Sequence, residues 1–439
     1  MTSSLDSRLD AIDLTDPELY RGPRGYAWSE WDLLRREAPV YWYERPGFEP
    51  FWSITRHADI LAISRNTQSF TQTRTLRVFP AEVQRAMREA RLADEARLGV
   101  IEAAPSSFID MDEPQHSRYR RLVHRYFTPR ANDGRMELLD RVGRECMRRL
   151  EADLESERDG PGVADLVDSV AMYMPMAVIL EMLGVPEEMR LPLYRSVDEG
   201  IRANYTPETV ERQRRPDFSD SYRMMTEALQ GHRETAETGD TLMDVILRSR
   251  VDGEPISFKQ QMGLVMLLVG AGLETTRNAI SGGIHALLQH PEQLRRLCDD
   301  PSPAMIRSAT EEILRWVSPV IHFARTCTRD FELRGTTLRA GQDVVMWYPS
   351  ANRDEEVFED PYRFDVARRP NDHLAFGGYG AHFCLGANLA RWEIRAALRQ
   401  LVPVLPRMEL VEEPQRFTAL GVHVGGFDKL MVRVRNADF

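Results

Sequence analysis

A cysteine set behind a glycine-rich loop, at the start of a helical pattern, carries the most chemical content in this sequence. The segment runs Phe376-Gly377-Gly378-Tyr379-Gly380-Ala381-His382-Phe383-Cys384-Leu385-Gly386, and helical periodicity follows from Ala387 to Leu401. Loop glycines let backbone N–H groups approach a sulfur, and a helix N-terminus favours negative charge. Together they are expected to lower the thiol pKa and hold a thiolate. A lone thiolate ligates soft or borderline metals and suits an axial position on a haem iron. Other readings stand beside this one. A catalytic cysteine would take His382 as its base, although two residues along one loop is poor geometry for proton abstraction. Gly378-x-Gly380 lacks the third glycine of a dinucleotide-binding turn. A buried structural thiol is the ordinary fate of a single cysteine.

A second constellation is Ala271-Gly272-Leu273-Glu274-Thr275-Thr276, an acid and two hydroxyls inside an apolar helical run. Ala271 and Gly272 lie four and three residues before Thr275, so these small residues are expected to open a groove for a flat or small ligand. The alternative is structural: Thr275 bonds back to the Ala271 carbonyl and Glu274 finds a buried partner. Glu312-x-x-Arg315 places opposite charges three apart in a helical pattern, and His116 and Arg120, four apart, share a face. Each of these pairs alone is common in any charged helix.

Positioning such residues requires a mainly α chain with small β-sheets. Helical periodicity covers Asn132–Glu157, Val163–Leu183, Glu187–Ala203, Ser219–Thr235, Thr241–Ser249, Ser257–Gln289 and Pro303–Trp316 within a helical body of about 110–316, resumed at 384–401. β-prone segments at about 39–56, 320–347 and 407–435 come from both ends, which argues for one unit over 1–439. The stretch 71–109 reads as a long, charged, partly helical connection. Ser257-x-x-Gln260 is a capping-box start and Pro291 follows the stop at His290, so this helix spans roughly 48 Å.

Acids outnumber bases by 68 to 57, a net charge of −11, which excludes a general nucleic-acid binder but leaves room for a local basic patch. Hydrophobic residues at 42% and charged residues at 28% describe a globular chain. Cysteines at 146, 298, 327 and 384 form no C-x-x-C pair and no disulfide framework. The polar start and the shortness of the longest apolar run, Met262 to Leu273, set an expectation of a cytoplasmic, unanchored monomer.

Four of these segments, in order and spacing, resemble the cytochrome P450 superfamily: the Cys384 loop, Glu312-x-x-Arg315, Ala271–Thr276, and Met111-Asp112-Glu113-Pro114-x-His116-x-x-x-Arg120 with Phe127-Thr128-Pro129. The resemblance covers essentially the whole chain. It implies a large helical domain, a smaller β-rich region and a long central helix over a haem. It assigns Cys384 to the iron, and His116, Arg120, Arg325 and His382 to the propionates. Phe376, Gly378, Gly386 and Ala271 would lie against the haem, with the Glu312–Arg315 pair tying helix to loop beneath it. The doubled Gly377-Gly378 puts Phe376 eight residues before the cysteine, as in a bacterial subgroup acting on sterol side chains and branched lipids. It leaves the packing of Phe376 in question. His322 and Phe323, after the Trp316–Pro319 turn, also follow that subgroup.

The resemblance implies a haem b monooxygenase inserting one atom of O2 into a C–H bond, with Thr275 and Glu274 delivering protons. No nucleotide or flavin fingerprint accompanies it, so NAD(P)H electrons would arrive through separate proteins, a ferredoxin and its reductase. Arg118, Arg121 and Arg125, with Arg391, Arg395 and Arg399, are candidates to dock an acidic ferredoxin, against the simpler reading of a solvated face. Family position points to a pocket of Met266, Val269, Gly270, Leu273, Val320 through Phe323 (His322 included), and Leu420 through Val424 (Val422 included). Arg74, Arg77 and His322 are candidates to orient a polar end. A sterol- or terpenoid-like lipid is the first-choice substrate. A polyketide, peptide or aromatic natural product is the alternative, and outside that class stand a peroxide-driven haem enzyme and a haem ligand binder without turnover.

Overall fold

The central helix begins where its capping box closes. In the computed structural model, Ser257 Oγ accepts from the Gln260 N–H at 3.3 Å and Gln260 Oε1 accepts from the Ser257 N–H at 2.9 Å. Two of the orphan donors of the first turn are thereby satisfied. The helix runs unbroken from Phe258 to Gln289 and packs against Tyr173–Leu183, Pro303–Val317 and Ala387–Leu401. Close approach depends on glycine: a Cβ at Gly283 would meet Ile313 at 2.6 Å, and one at Gly282 would meet Val317 at 2.8 Å. The helix bearing Glu312 and Arg315 is seated by these two missing side chains.

The structure describes residues 4–22, 25–74, 76–98, 107–156, 160–213, 219–233 and 237–435. It is mainly helical, and one helical core gathers apolar residues from 108 to 434. A five-stranded sheet takes the order Val40–Tyr43, Phe51–Ile54, Asp343–Trp347, His322–Cys327, Phe70–Thr71, with one parallel pairing between Phe51–Ile54 and Asp343–Trp347. A hairpin pairs Arg416–Ala419 with Val424–Phe427. Among the described residues no single helix is long and apolar enough to cross a membrane.

Two expectations need correction. Val163–Asp165 is not helical but a strand paired with Met431–Arg433, and a π-helical turn at Val167–Ala171 precedes the helix Tyr173–Leu183. An apolar run fits strand and helix alike, and here a distant tail strand decides. The 71–109 connection holds an 18-residue helix, Ala81–Leu98, while 75 and 99–106 lie outside the described residues.

Candidate active site

The cysteine loop is shaped by its glycines. Gly377 takes φ +93°, a conformation L side chains avoid, and a Cβ at Gly380 would lie 1.8 Å from the Ser64 carbonyl oxygen. The doubled glycine thus lets the loop turn and press onto the helix His57–Arg65. Phe376 packs edge-on to Phe383 at 6.3 Å under the Arg391 guanidinium, 4.5 Å from its ring centroid. Its carbonyl accepts from the Cys384 N–H at 3.0 Å.

Cys384 lies deep in the fold, yet its side chain is exposed to open space. Opposing influences act on its pKa. Burial raises the thiol above its ordinary value, outweighing the Gly386 N–H and the charges of Arg120 and Arg391. A metal ion bound at the sulfur would favour the thiolate.

Around this loop gather cationic groups without acid partners. Arg120 donates to the Phe383 carbonyl at 2.7 Å, and Arg325, nearly buried, donates to the Ala324 carbonyl at 2.7 Å. Neither forms an ion pair among the described residues. His116 is 1% exposed. Its Nδ1 meets Glu113 Oε1 at 3.1 Å while its Nε2 has no partner. His382 lies against it, ring centroids 4.0 Å apart, with Nδ1 facing the Gln72 amide. Burial, with His116, Arg325 and Arg120 nearby, pulls the His382 pKa down to about 2. Buried guanidinium groups and an orphaned imidazole nitrogen call for an anion. The set fits haem: an open cysteine sulfur for the iron, and unpaired donors for two carboxylates.

The Glu312–Arg315 pair is a strut. Both side chains are fully buried, and Arg315 donates to both Glu312 oxygens at 2.8 Å. Arg315 also donates to the carbonyls of Asn352, Pro361 and Arg363, and Glu312 accepts from the Asp365 N–H and from Asn371. Asn352 in turn accepts from the Leu374 N–H at 2.7 Å, leading directly into the cysteine loop.

The central helix supplies an opening. Ala271 is exposed halfway along an otherwise enclosed helix, and a Cβ at Gly270 would meet nothing within 4 Å. Gly272 does not share this opening: its face lies on Ile179, 3.5 Å from an added Cβ. Gly270 and Ala271 are therefore the small residues that clear the groove. Thr275 donates to the Ala271 carbonyl at 2.8 Å. Glu274 is 3% exposed and accepts from Arg277 at 2.8 Å, with Arg202 4.0 Å away. Burial raises its carboxyl pKa against the opposing charges of both arginines. The structural alternative for this segment is realised.

The remaining candidates divide. Met266, Val320, Phe323 and Leu420 keep accessible surface, whereas Val269, Leu273 and Val422 are enclosed in the core. His322 is a latch: its Nε2 accepts from the Val78 N–H at 3.1 Å and its Nδ1 meets the Val422 carbonyl at 3.2 Å. Burial lowers its pKa to about 3. The second arginine stripe is not a free basic face. Arg391 and Arg395 both bond Glu311, and Arg399 bonds Asp140 at 2.9 Å. On the helix Gln115–His124 Arg118 pairs with Asp252, while Arg121, and Arg125 just past its end, stay exposed.

One group escaped the sequence reading. Glu393, nine residues past the cysteine, is buried at 2% and bonds Thr276 of the central helix; burial raises its pKa to about 8. Only the contact between two helices distant in sequence exposes this role.

The family model for cytochrome P450 matches residues 304–404, which hold Glu312, Arg315 and Cys384. The chain is 36% identical over 404 residues to a methyl-branched lipid omega-hydroxylase of Mycobacterium tuberculosis, covering 89% of this chain and 87% of that protein. It is 34% identical over 413 residues to a steroid C26-monooxygenase of Mycobacterium bovis, covering 92% and 89%. Its fold matches the crystal structure of CYP108D1 from Novosphingobium aromaticivorans with TM-score 0.78 at 27% identity, over 97% of this chain and 100% of that one. CYP109E1 from Bacillus megaterium, solved with testosterone, matches with TM-score 0.73 at 28% identity, over 93% and 97%. With this likeness along nearly its whole length, the chain belongs to the cytochrome P450 family and is a monooxygenase that uses haem b and O2, with NAD(P)H electrons arriving through redox partners.

Proposed function

We propose that this monooxygenase hydroxylates a steroid or branched lipid bearing a polar end, as a cytoplasmic monomer supplied by a ferredoxin and its reductase. The observation that carries the lipid reading is a cavity of about 480 Å³ walled by Leu76, Phe79, Met87 and Leu92 and edged by Arg74, Arg77, Arg88 and Arg91. Leu420, from the expected pocket, packs on the same Phe79 cluster. That volume suits one lipophilic molecule. Arg77 Nε is buried without a partner among the described residues, and it matches a carboxylate or hydroxyl on the ligand. The names of the steroid- and lipid-oxidising relatives support the same class.

When bound through Cys384, haem supplies the O2 reduction and C–H oxidation. His116, Arg120, Arg325 and His382 would hold its carboxylates. Thr275 must release the Ala271 carbonyl to donate elsewhere, and Glu274, next to it in sequence and beside the partly exposed Arg202, would replace the proton it gives up. Exposed Arg121 and Arg125 serve as the electron-donor contact; reversing both to Glu should slow reduction and flatten its salt dependence. The deciding experiment is a spectral titration of the ferric protein against sterols, branched fatty acids and aromatic natural products. A saturable low- to high-spin shift with the first two supports the proposal, and a response to aromatic products alone overturns it.

A further inference from the structure

The face of the central helix that opens at Gly270 and Ala271 continues through Asn278, Gly282, His285 and Gln289. Those later residues form one wall of a second cavity, of about 340 Å³. The hairpin strand Val424–Phe427 crosses the helix at Asn278: a Cβ on Gly426 would lie 2.1 Å from Asn278 Oδ1. None of the residues around Cys384 lines this space.

Its chemistry is one-sided. Four residues lining it carry a buried side-chain nitrogen without a partner among the described residues: Asn278 (Nδ2), His285 (Nε2), Arg353 (Nε) and Arg416 (Nε). Asn278 and Arg353 are 0% and 1% exposed, so their unmet capacity is fully desolvated. Arg353 spends its other donors on the carbonyls of Arg315 and Trp316, not on an acid. Arg416 forms no ion pair among the described residues and lies over the Phe427 ring at 4.5 Å. Among the described residues the only acid lining the cavity is Glu413, which is exposed. Trp28, Trp316 and Tyr362 surround the Arg353 guanidinium, at 4.7, 4.4 and 5.9 Å from their ring centroids, and Trp28 stands edge-on to Tyr362 at 5.8 Å.

Two guanidinium groups, an amide and an imidazole, enclosed by aromatic faces, recognise a flat molecule carrying a carboxylate. We propose that this cavity is a second binding site, for a small planar organic anion such as an arenecarboxylate, occupied independently of the haem pocket. Arg416 would meet the carboxylate, and the arene would lie against the aromatic side chains of the lining.

The test is calorimetric titration of the haem-loaded protein with 1-naphthoate after its iron has been saturated with an azole. Saturable one-to-one binding is expected, with 1-naphthamide and the Arg416→Gln and His285→Phe variants each weaker by about tenfold or more. The azole-bound haem spectrum checks that each variant has kept its fold. Displacement of naphthoate by the azole would place it in the haem pocket and overturn the proposal. So would affinity unchanged in both variants, or no binding at millimolar concentration, which would leave the cavity as a water pocket.

Discussion

Replacing Glu312 by Gln removes one charge from a pair with no access to solvent. The carboxylate accepts from Arg315 through both oxygens and from the Asp365 N–H, Asn371 and Arg368 as well. A Gln amide has one acceptor oxygen; its NH2 would face donors it cannot bond. Breaking such a buried pair from one side costs about 3–5 kcal/mol, because the guanidinium is left uncompensated. At about 2.1 cal/mol/K per residue, 439 residues give an unfolding entropy of about 0.9 kcal/mol/K, so the melting temperature should fall by about 3–5 °C. Because Arg315 also fixes the segment leading to Leu374, haem retention should fall with it. Thermal melts and haem-to-protein ratios of wild type and variant provide the assay. A fall of less than about 1 °C with full haem content would refute the strut. The double variant Glu312→Leu, Arg315→Met leaves no stranded charge but orphans the carbonyls of Asn352, Pro361 and Arg363. It should recover stability only in part.

Thr275→Ala should keep substrate affinity while product formed per NAD(P)H consumed falls by about tenfold or more and hydrogen peroxide rises; an unchanged ratio would remove Thr275 from proton delivery. Gly270→Val projects into open space, so stability should change by no more than about 0.5 kcal/mol. The narrowed groove should nonetheless weaken lipid binding about tenfold in the spectral titration, and equal affinity would show that substrate does not enter there. Glu393, with its pKa raised to about 8, holds a proton in the folded protein that an unfolded carboxyl gives up near 4.5. The folded state therefore binds more protons between those values, and stability falls with rising pH across that window by about 1.4 kcal/mol per unit. Glu393→Gln should flatten that slope in urea unfolding, and an identical slope would mean the group titrates normally.

Short-range chemistry was legible in the sequence. The bounds of the central helix follow from Ser257, Gln260 and Pro291, the helix Ala387–Leu401 from its own periodicity, and the Glu312–Arg315 contact from a spacing of three. Each is decided within a turn or two of chain, where local geometry dominates. Tertiary structure decided the rest, because burial and facing depend on neighbours far off in sequence. Val163–Asp165 became a strand once the tail supplied a partner. Gly270, not Gly272, cleared the groove because Ile179 covers the latter. His322 became a latch between Val78 and Val422, and Glu311 claimed two arginines expected at the surface. The same reason bears on Cys384: its glycines and helix start favour the anion locally, whereas desolvation, which opposes it, sums over everything packed around the sulfur.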